Sequence, residues 1–132
     1  MINTDIYNYV NVLDKAADAA NLRNQLLTNN IANASTPNYK RKDINFESIL
    51  QAELAGERTL QQAVKKANFD LSVLDPQVYT DNASLSYRLD GNNVDIASEE
   101  AMLAENTLRY DTLVDMMNQE FGRYDTVLKS GN

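Results

Sequence analysis

At 132 residues the chain has the size of one domain with a modest core. A net charge of -7 argues against nucleic acid as a main partner. The lack of both cysteine and histidine removes disulfides, thiolate nucleophiles, the commonest zinc ligands and the commonest general base near neutral pH.

The hydrophobic share of 43% is ordinary for a soluble chain, and no apolar run is long enough to cross a bilayer. The N-terminus shows no basic segment followed by an apolar stretch, so a cleavable leader is not expected. Asn3 or Thr4 is predicted to cap a first long helix, with Asp5 favourably placed in its first turn. Along it Ile6, Val10, Leu13, Ala17, Ala20, Asn24, Leu27 and Ile31 recur at alternating steps of four and three, the spacing that lets two helices pack lengthwise. Asn24 interrupts the apolar stripe, where a buried asparagine sets register at a cost in stability. Asp14, Lys15, Asp18, Asn21 and Gln25 make the opposite face polar.

Pro37 ends this helix, because proline lacks an N–H and drives the residue before it out of the α region. Asn38 tolerates the left-handed conformation that a tight turn after proline demands. The side-chain amides of Asn29, Asn30 and Asn33 are available to bond frayed backbone or a neighbouring chain. Lys40-Arg41-Lys42, in an acidic chain, reads as a solvated turn or as a partner for acidic neighbours.

Asp43 or Asn45 is predicted to cap a short helix that carries Phe46, Ile49, Leu50 and Leu54 on one face and stops at Gly56. Residues 57–68, rich in charge and glutamine with only Leu60 and Val64 as anchors, are expected either to extend that helix or to remain mobile. Phe69, Leu71 and Val73 alternate as in a short strand before the Asp75-Pro76 turn, and residues 77–83 read as loop. Leu85, Tyr87 and Leu89, then Asp90-Gly91-Asn92-Asn93, then Val94 and Ile96 predict a β-hairpin that must pack on the helices.

Asp95 or Ser98 caps a second long helix, with Glu99 and Glu100 near its positive end. Leu103, Thr107, Tyr110, Val114, Met117, Phe121, Tyr124 and Leu128 repeat the step of four and three, so Thr107 is expected to be the small polar member of this stripe. Gly122 costs roughly 1 kcal/mol against alanine inside a helix and leaves room for close approach. The fold class is therefore mainly α: two long terminal helices packed as an antiparallel coiled coil, with a small middle region containing a short helix and a β-hairpin. The expected divisions are 1–36, 37–97 and 98–132, together one structural domain. Glu99, Glu100, Glu105, Asp111 and Asp115 read as solvated helix faces. They supply no complete acid–base pair or metal cage, so neither an enzyme nor a cofactor is expected.

Residues Asn29, Asn30, Ile31, Ala32, Asn33, Thr36, Pro37, Asn38, Tyr39 and Lys40 follow the pattern A-N-N-I-A-N-x-x-T-P-G-Y-K, with Thr28 for the first alanine and Asn38 for the glycine. That block resembles the signature of the flagellar rod, hook and filament-junction family. Leu89 to Asp95 is similar to the family's D-G-N-x-V-D segment, and Ala104 to Tyr110 to its A-x-N-x-L-x-Y block. The resemblance implies a structural subunit of the proximal rod of the bacterial flagellar basal body, exported through the flagellar type III apparatus without a cleaved signal. It implies polymerisation into a hollow periplasmic shaft that transmits torque and passes exported proteins. The implied partners are further copies of the chain, the rod proteins FlgC and FlgF, the adaptor FliE, and the export-gate and MS-ring base. The two stripes, without Thr107, would then be assembly seams. Independently, alanines at several seam positions bury little against the entropy of ordering the backbone, so the terminal helices are expected to be weakly ordered in the free chain. A sibling rod protein and a non-flagellar soluble coiled-coil adaptor are the alternative readings.

Overall fold

The computed structural model describes residues 4–53, 71–85 and 88–131, the side chains of residues 4–7, 52, 53 and 73 excepted. Helix α1 spans Thr4–Ala32. One stripe of it buries Leu13, Ala17, Ala20 and Leu27, and an adjacent stripe buries Val12 and Ala19. It stops where the sequence directs. The Asn33 N–H reaches the carbonyls of both Asn29 and Asn30 at 3.1 Å, and the Ala34 N–H bonds Ile31 at 3.1 Å, so the last turn tightens before Pro37. Asn38 then sits at φ 59°, the left-handed conformation expected of it.

Strand β1 (Lys42–Ile44) follows, then helix α2 (Phe46–Glu53). Asn45 opens α2: its carbonyl accepts the Ile49 N–H at 3.3 Å and the Ser48 hydroxyl at 2.8 Å. After a 3-10 turn over Leu71–Leu74, strand β2 (Val78–Thr80) pairs antiparallel with β1, Lys42 opposite Thr80, Asp43 opposite Tyr79 and Ile44 opposite Val78. Helix α3 runs over Ile96–Ser130, with Asp95 as its N-cap accepting from the Ser98 N–H.

The mainly α architecture, the long terminal helices, the short middle helix and a two-stranded sheet agree with expectation. The strands come from elsewhere in the chain. Residues 78–80, expected in a loop, are one strand, and Leu71 and Val73, expected in a strand, lie in the 3-10 turn. No strand forms among the described residues of 85–96, because that backbone is occupied otherwise. The Asn92 N–H bonds the Asp90 carboxylate at 3.1 Å and the Val94 N–H bonds the Asn92 side chain at 2.7 Å. Such local side-chain acceptors compete directly with a ladder. Leu54, Gly56, residues 57–68, Phe69 and Tyr87 lie outside the described residues.

The two long helices are antiparallel: Asn30 meets Glu99, and Asn24 meets Asn106 further along. The middle region covers the second stripe of α1, where Val12 and Ala19 pack with Phe46 and Leu74, flanked by Ile44, Ile49, Leu50 and Leu71. Helix α1 is thus buried on two sides, which is why alanines suffice along it: the neighbours approach closely rather than filling space with long side chains. Among the described residues, no helix is long and apolar enough to cross a membrane.

Candidate functional site

The asparagine-rich turn after α1 is held against the Asp90–Val94 turn that leads into α3. The Asn38 N–H bonds the Asp90 carbonyl at 2.8 Å, and the Asn93 N–H bonds the Tyr39 carbonyl at 3.3 Å. Gly91 allows this approach. It adopts φ +73°, and a β-carbon there would stand 2.6 Å from the Asn38 side-chain oxygen.

Three asparagines act as templates for the backbone around them. Asn30, fully buried, donates to the Lys42 carbonyl at 2.8 Å and to the Glu99 carboxylate at 2.9 Å; its oxygen accepts the Lys42 N–H at 2.9 Å and the Tyr39 hydroxyl at 3.2 Å. All four hydrogen-bonding sites of the amide are used. Asn92 donates to the carbonyls of Asn33 and Thr36 at 2.9 and 2.8 Å, closing the open end of α1. Asn93 donates to the carbonyls of Asp81 and Ala83 and accepts the Arg41 N–H at 2.7 Å, tying the loop after β2 to the same knot. Arg88 adds a fourth tie, donating to the Ala34 carbonyl at 2.8 Å and to Asp90.

Charge is concentrated beneath these amides. Arg41 contacts Glu99, Asp43 at 3.1 Å and Asp81 at 3.5 Å, and Asp43 also receives Arg23 at 2.9 Å. Glu99 is only 1% exposed. Burial works against the Arg41 charge, yet its hydrogen bonds to Glu99 and Asp43 outweigh that cost, and the guanidinium is held more firmly protonated than a free one. Burial likewise works against the Asp43 carboxylate. Arg23, the Ile44 N–H and Arg41 reverse the balance and keep its carboxyl below the usual carboxylate range. Burial and the nearby Glu99 charge push the Tyr39 phenol up, so it stays a donor to Asn30. Among the described residues no buried side-chain nitrogen or oxygen is without a partner.

Several expectations are corrected here. Glu99 is not a solvated helix-face acid but a buried partner of Arg41 and Asn30. Asp43 does not cap α2; its oxygens are taken by Arg23, Arg41 and the Ile44 N–H. Of the basic triplet, Arg41 is the partner for acidic neighbours, while Lys42 is exposed. Thr107 is exposed and turned back onto the Leu103 carbonyl; the polar residue facing α1 is Asn106, which donates to the Ala20 carbonyl at 2.7 Å and to Asn24 at 2.8 Å. Asn106 was detectable as the asparagine of the A-x-N-x-L-x-Y block, seven residues after Glu99.

Along the stripes, Leu13, Ala17, Ala20 and Leu27 are buried and Val10, Asn24 and Ile31 half-buried. The Ile6 side chain lies outside the described ones. On α3, Leu103, Tyr110, Val114, Met117 and Tyr124 are half-buried, whereas Phe121 and Leu128 are exposed. Of the motif, Asn30 is buried and Ile31, Asn33, Tyr39 and Lys40 are half-buried. Asn29, Ala32, Thr36, Pro37 and Asn38 present an exposed outer surface.

Fold and site together define a helical-pair protein, its two terminal helices clasped at one end by a knot of asparagines and buried charge. No protein-family model matches the chain. It is 34% identical over 119 residues to the flagellar basal body rod protein FlgB of Bacillus subtilis (strain 168), covering 90% of this chain and 92% of that one. Against FlgB of Cereibacter sphaeroides (strain ATCC 17029 / ATH 2.4.9) identity is 42% over 109 residues, 81% and 83% of the two chains. Against FlgB of Escherichia coli (strain K12) it is 34% over 125 residues, 87% and 91%. The chain belongs to the FlgB family of flagellar basal body rod proteins.

Proposed function

We propose that this chain is a structural, non-catalytic subunit of the proximal rod. In this role it polymerises with further copies and with the rod proteins FlgC and FlgF on the adaptor FliE and the export-gate and MS-ring base. The rod lies in the periplasm, is supplied by flagellar type III export, carries motor torque, and leaves a central channel for exported proteins. The observation that carries the reading is the similarity to FlgB proteins along more than four-fifths of the chain. The asparagine clasp supports it, since Asn33 and Thr36 of the signature block meet Asn92 of the D-G-N-x-V-D segment there, and Asn30 of the same block bonds the Lys42 carbonyl. The stripes Ile6, Val10, Leu13, Ala17, Ala20, Asn24, Leu27, Ile31 and Leu103, Tyr110, Val114, Met117, Phe121, Tyr124, Leu128 are the assembly seams of this reading. Part of each stripe joins α1 to α3, and neighbours complete the rest.

Electron microscopy of basal bodies from cells with and without the protein tests the role. Loss of the rod above the MS ring, restored by the gene in trans, is expected. Normal rods in its absence overturn the proposal, and a purified chain forming only a small defined oligomer with a non-flagellar partner favours an adaptor instead.

A further inference from the structure

We propose that the groove between α1, α2 and α3 receives the C-terminal end of α3 from a second copy of the chain. This inference rests on the self-assembly reading above and assigns its contact surfaces.

The groove has a volume of about 510 Å³, a floor of Ala16, Ala19 and Ala20, and walls formed by Phe46, Leu50 and Leu113. Its floor is low because alanine carries nothing beyond a β-carbon, so a bulky side chain can be seated where a leucine floor would refuse it. Arg109 and Glu47 pair across its mouth and remain 39% and 65% exposed. The groove thus offers a mainly apolar trough that is also lined by the paired Arg23 and Asp43, with Arg109 and Glu47 exposed at its rim.

The matching surface lies at the far end of α3. Phe121 and Leu128 are 56% and 74% exposed, and their spacing of seven residues puts them on one face of the helix. Asp125 and Lys129 flank that face and pair with each other on the surface. Gly122 faces open space, with nothing within 4 Å of a built β-carbon, so a neighbouring backbone can approach closely there. Seated in the groove, Phe121 and Leu128 fill the trough while Asp125 and Lys129 meet Arg109 and Glu47. The exposed pairs given up contribute little, so the charge exchange is nearly neutral and apolar burial supplies the attraction.

The C-terminal end of α3 cannot reach the groove of its own copy. From Arg109 to Phe121 is twelve residues of continuous helix, roughly 18 Å. Because groove and helix end are different surfaces, each added copy leaves one of each free. The contact is heterologous, and it extends into an open chain wherever the rotation between successive copies does not close a ring.

The experiment uses the purified full chain. Leu128→Glu keeps the groove and removes the insert; Ala16→Phe keeps the insert and fills the groove. In sedimentation velocity the wild type grows with concentration, and each variant alone associates about tenfold more weakly or less. An equimolar mixture of the two forms a dimer that does not extend. Arg109→Glu weakens association and Asp125→Lys in the same chain restores it; this exposed pair also replaces Ala16→Phe if that variant fails to fold by helical circular dichroism. Growth of either single variant to wild-type size, a mixture with no dimer, or a monomeric wild type overturns the assignment. None of these outcomes touches the rod reading, which stands or falls on basal-body morphology.

Discussion

The buried pair Arg41–Glu99 should respond asymmetrically to removal of its two partners. Replacing Arg41 by Met leaves Glu99, 1% exposed, with the Asn30 amide and no cation. Breaking a buried pair in this way costs about 3–5 kcal/mol, most of it the penalty of a stranded charge. Replacing Glu99 by Gln leaves Arg41 with Asp43 at 3.1 Å and Asp81 at 3.5 Å, so no charge is stranded. The expected loss is about 1.5 kcal/mol, that of a hydrogen bond whose acceptor loses its charge. The double change Arg41→Met/Glu99→Leu should recover much of the Arg41→Met loss, since apolar replacement of both partners is often tolerated. Urea unfolding followed by helical circular dichroism measures all three. Against a total stability of about 5–15 kcal/mol the difference between the single variants is easily resolved. Equal losses, or a larger one for Glu99→Gln, refute the reasoning that Arg41 is the shared hub.

Gly91→Ala combines a disfavoured positive φ with a 2.6 Å approach to Asn38, and should lower stability by about 2 kcal/mol, read as a drop in urea midpoint at unchanged slope. The Asp43 carboxyl sits below its unfolded value of about 3.9, so its contribution is complete above that pH and is lost as pH falls through the folded value. Asp43→Asn should therefore flatten the decline of stability below about pH 4. Asn24→Leu removes one acceptor of Asn106, which keeps the Ala20 carbonyl, so thermal melting should show helix pairing maintained or strengthened while rod incorporation suffers from looser register. Hydrogen exchange of the purified chain should be slowest at residues 20–32 and 99–106, where the clasp and the Asn24–Asn106 contact lie. It should be fast over 121–130, where Phe121, Val127 and Leu128 are exposed; uniform protection along α3 would contradict this.

The helices, the stop before Pro37, the left-handed Asn38 and the Asp95 cap were all legible in the sequence. Each is a local matter: periodicity of apolar residues, missing donors, a short side chain that reaches its own backbone. The signature block was recognisable for the same reason, as a run of adjacent residues. What that run does was decided by the tertiary structure. Asn30 finds Lys42 and Glu99, Arg41 gathers Asp43, Asp81 and Glu99, and Asn92 reaches back to Asn33, over separations of up to 69 residues. A carboxylate on a helix carries no mark that distinguishes a solvated Glu100 from a buried Glu99; the arrival of Arg41 from the segment between α1 and β1 does. The hairpin failed on the same ground. Alternation at Leu85 to Ile96 is compatible with a strand, but the asparagine side chains there bond their own backbone and the turn after α1, and β1 found its ladder partner in residues 78–80. Local geometry is written in neighbouring residues, whereas the satisfaction of buried polar groups depends on which distant segments fold against them.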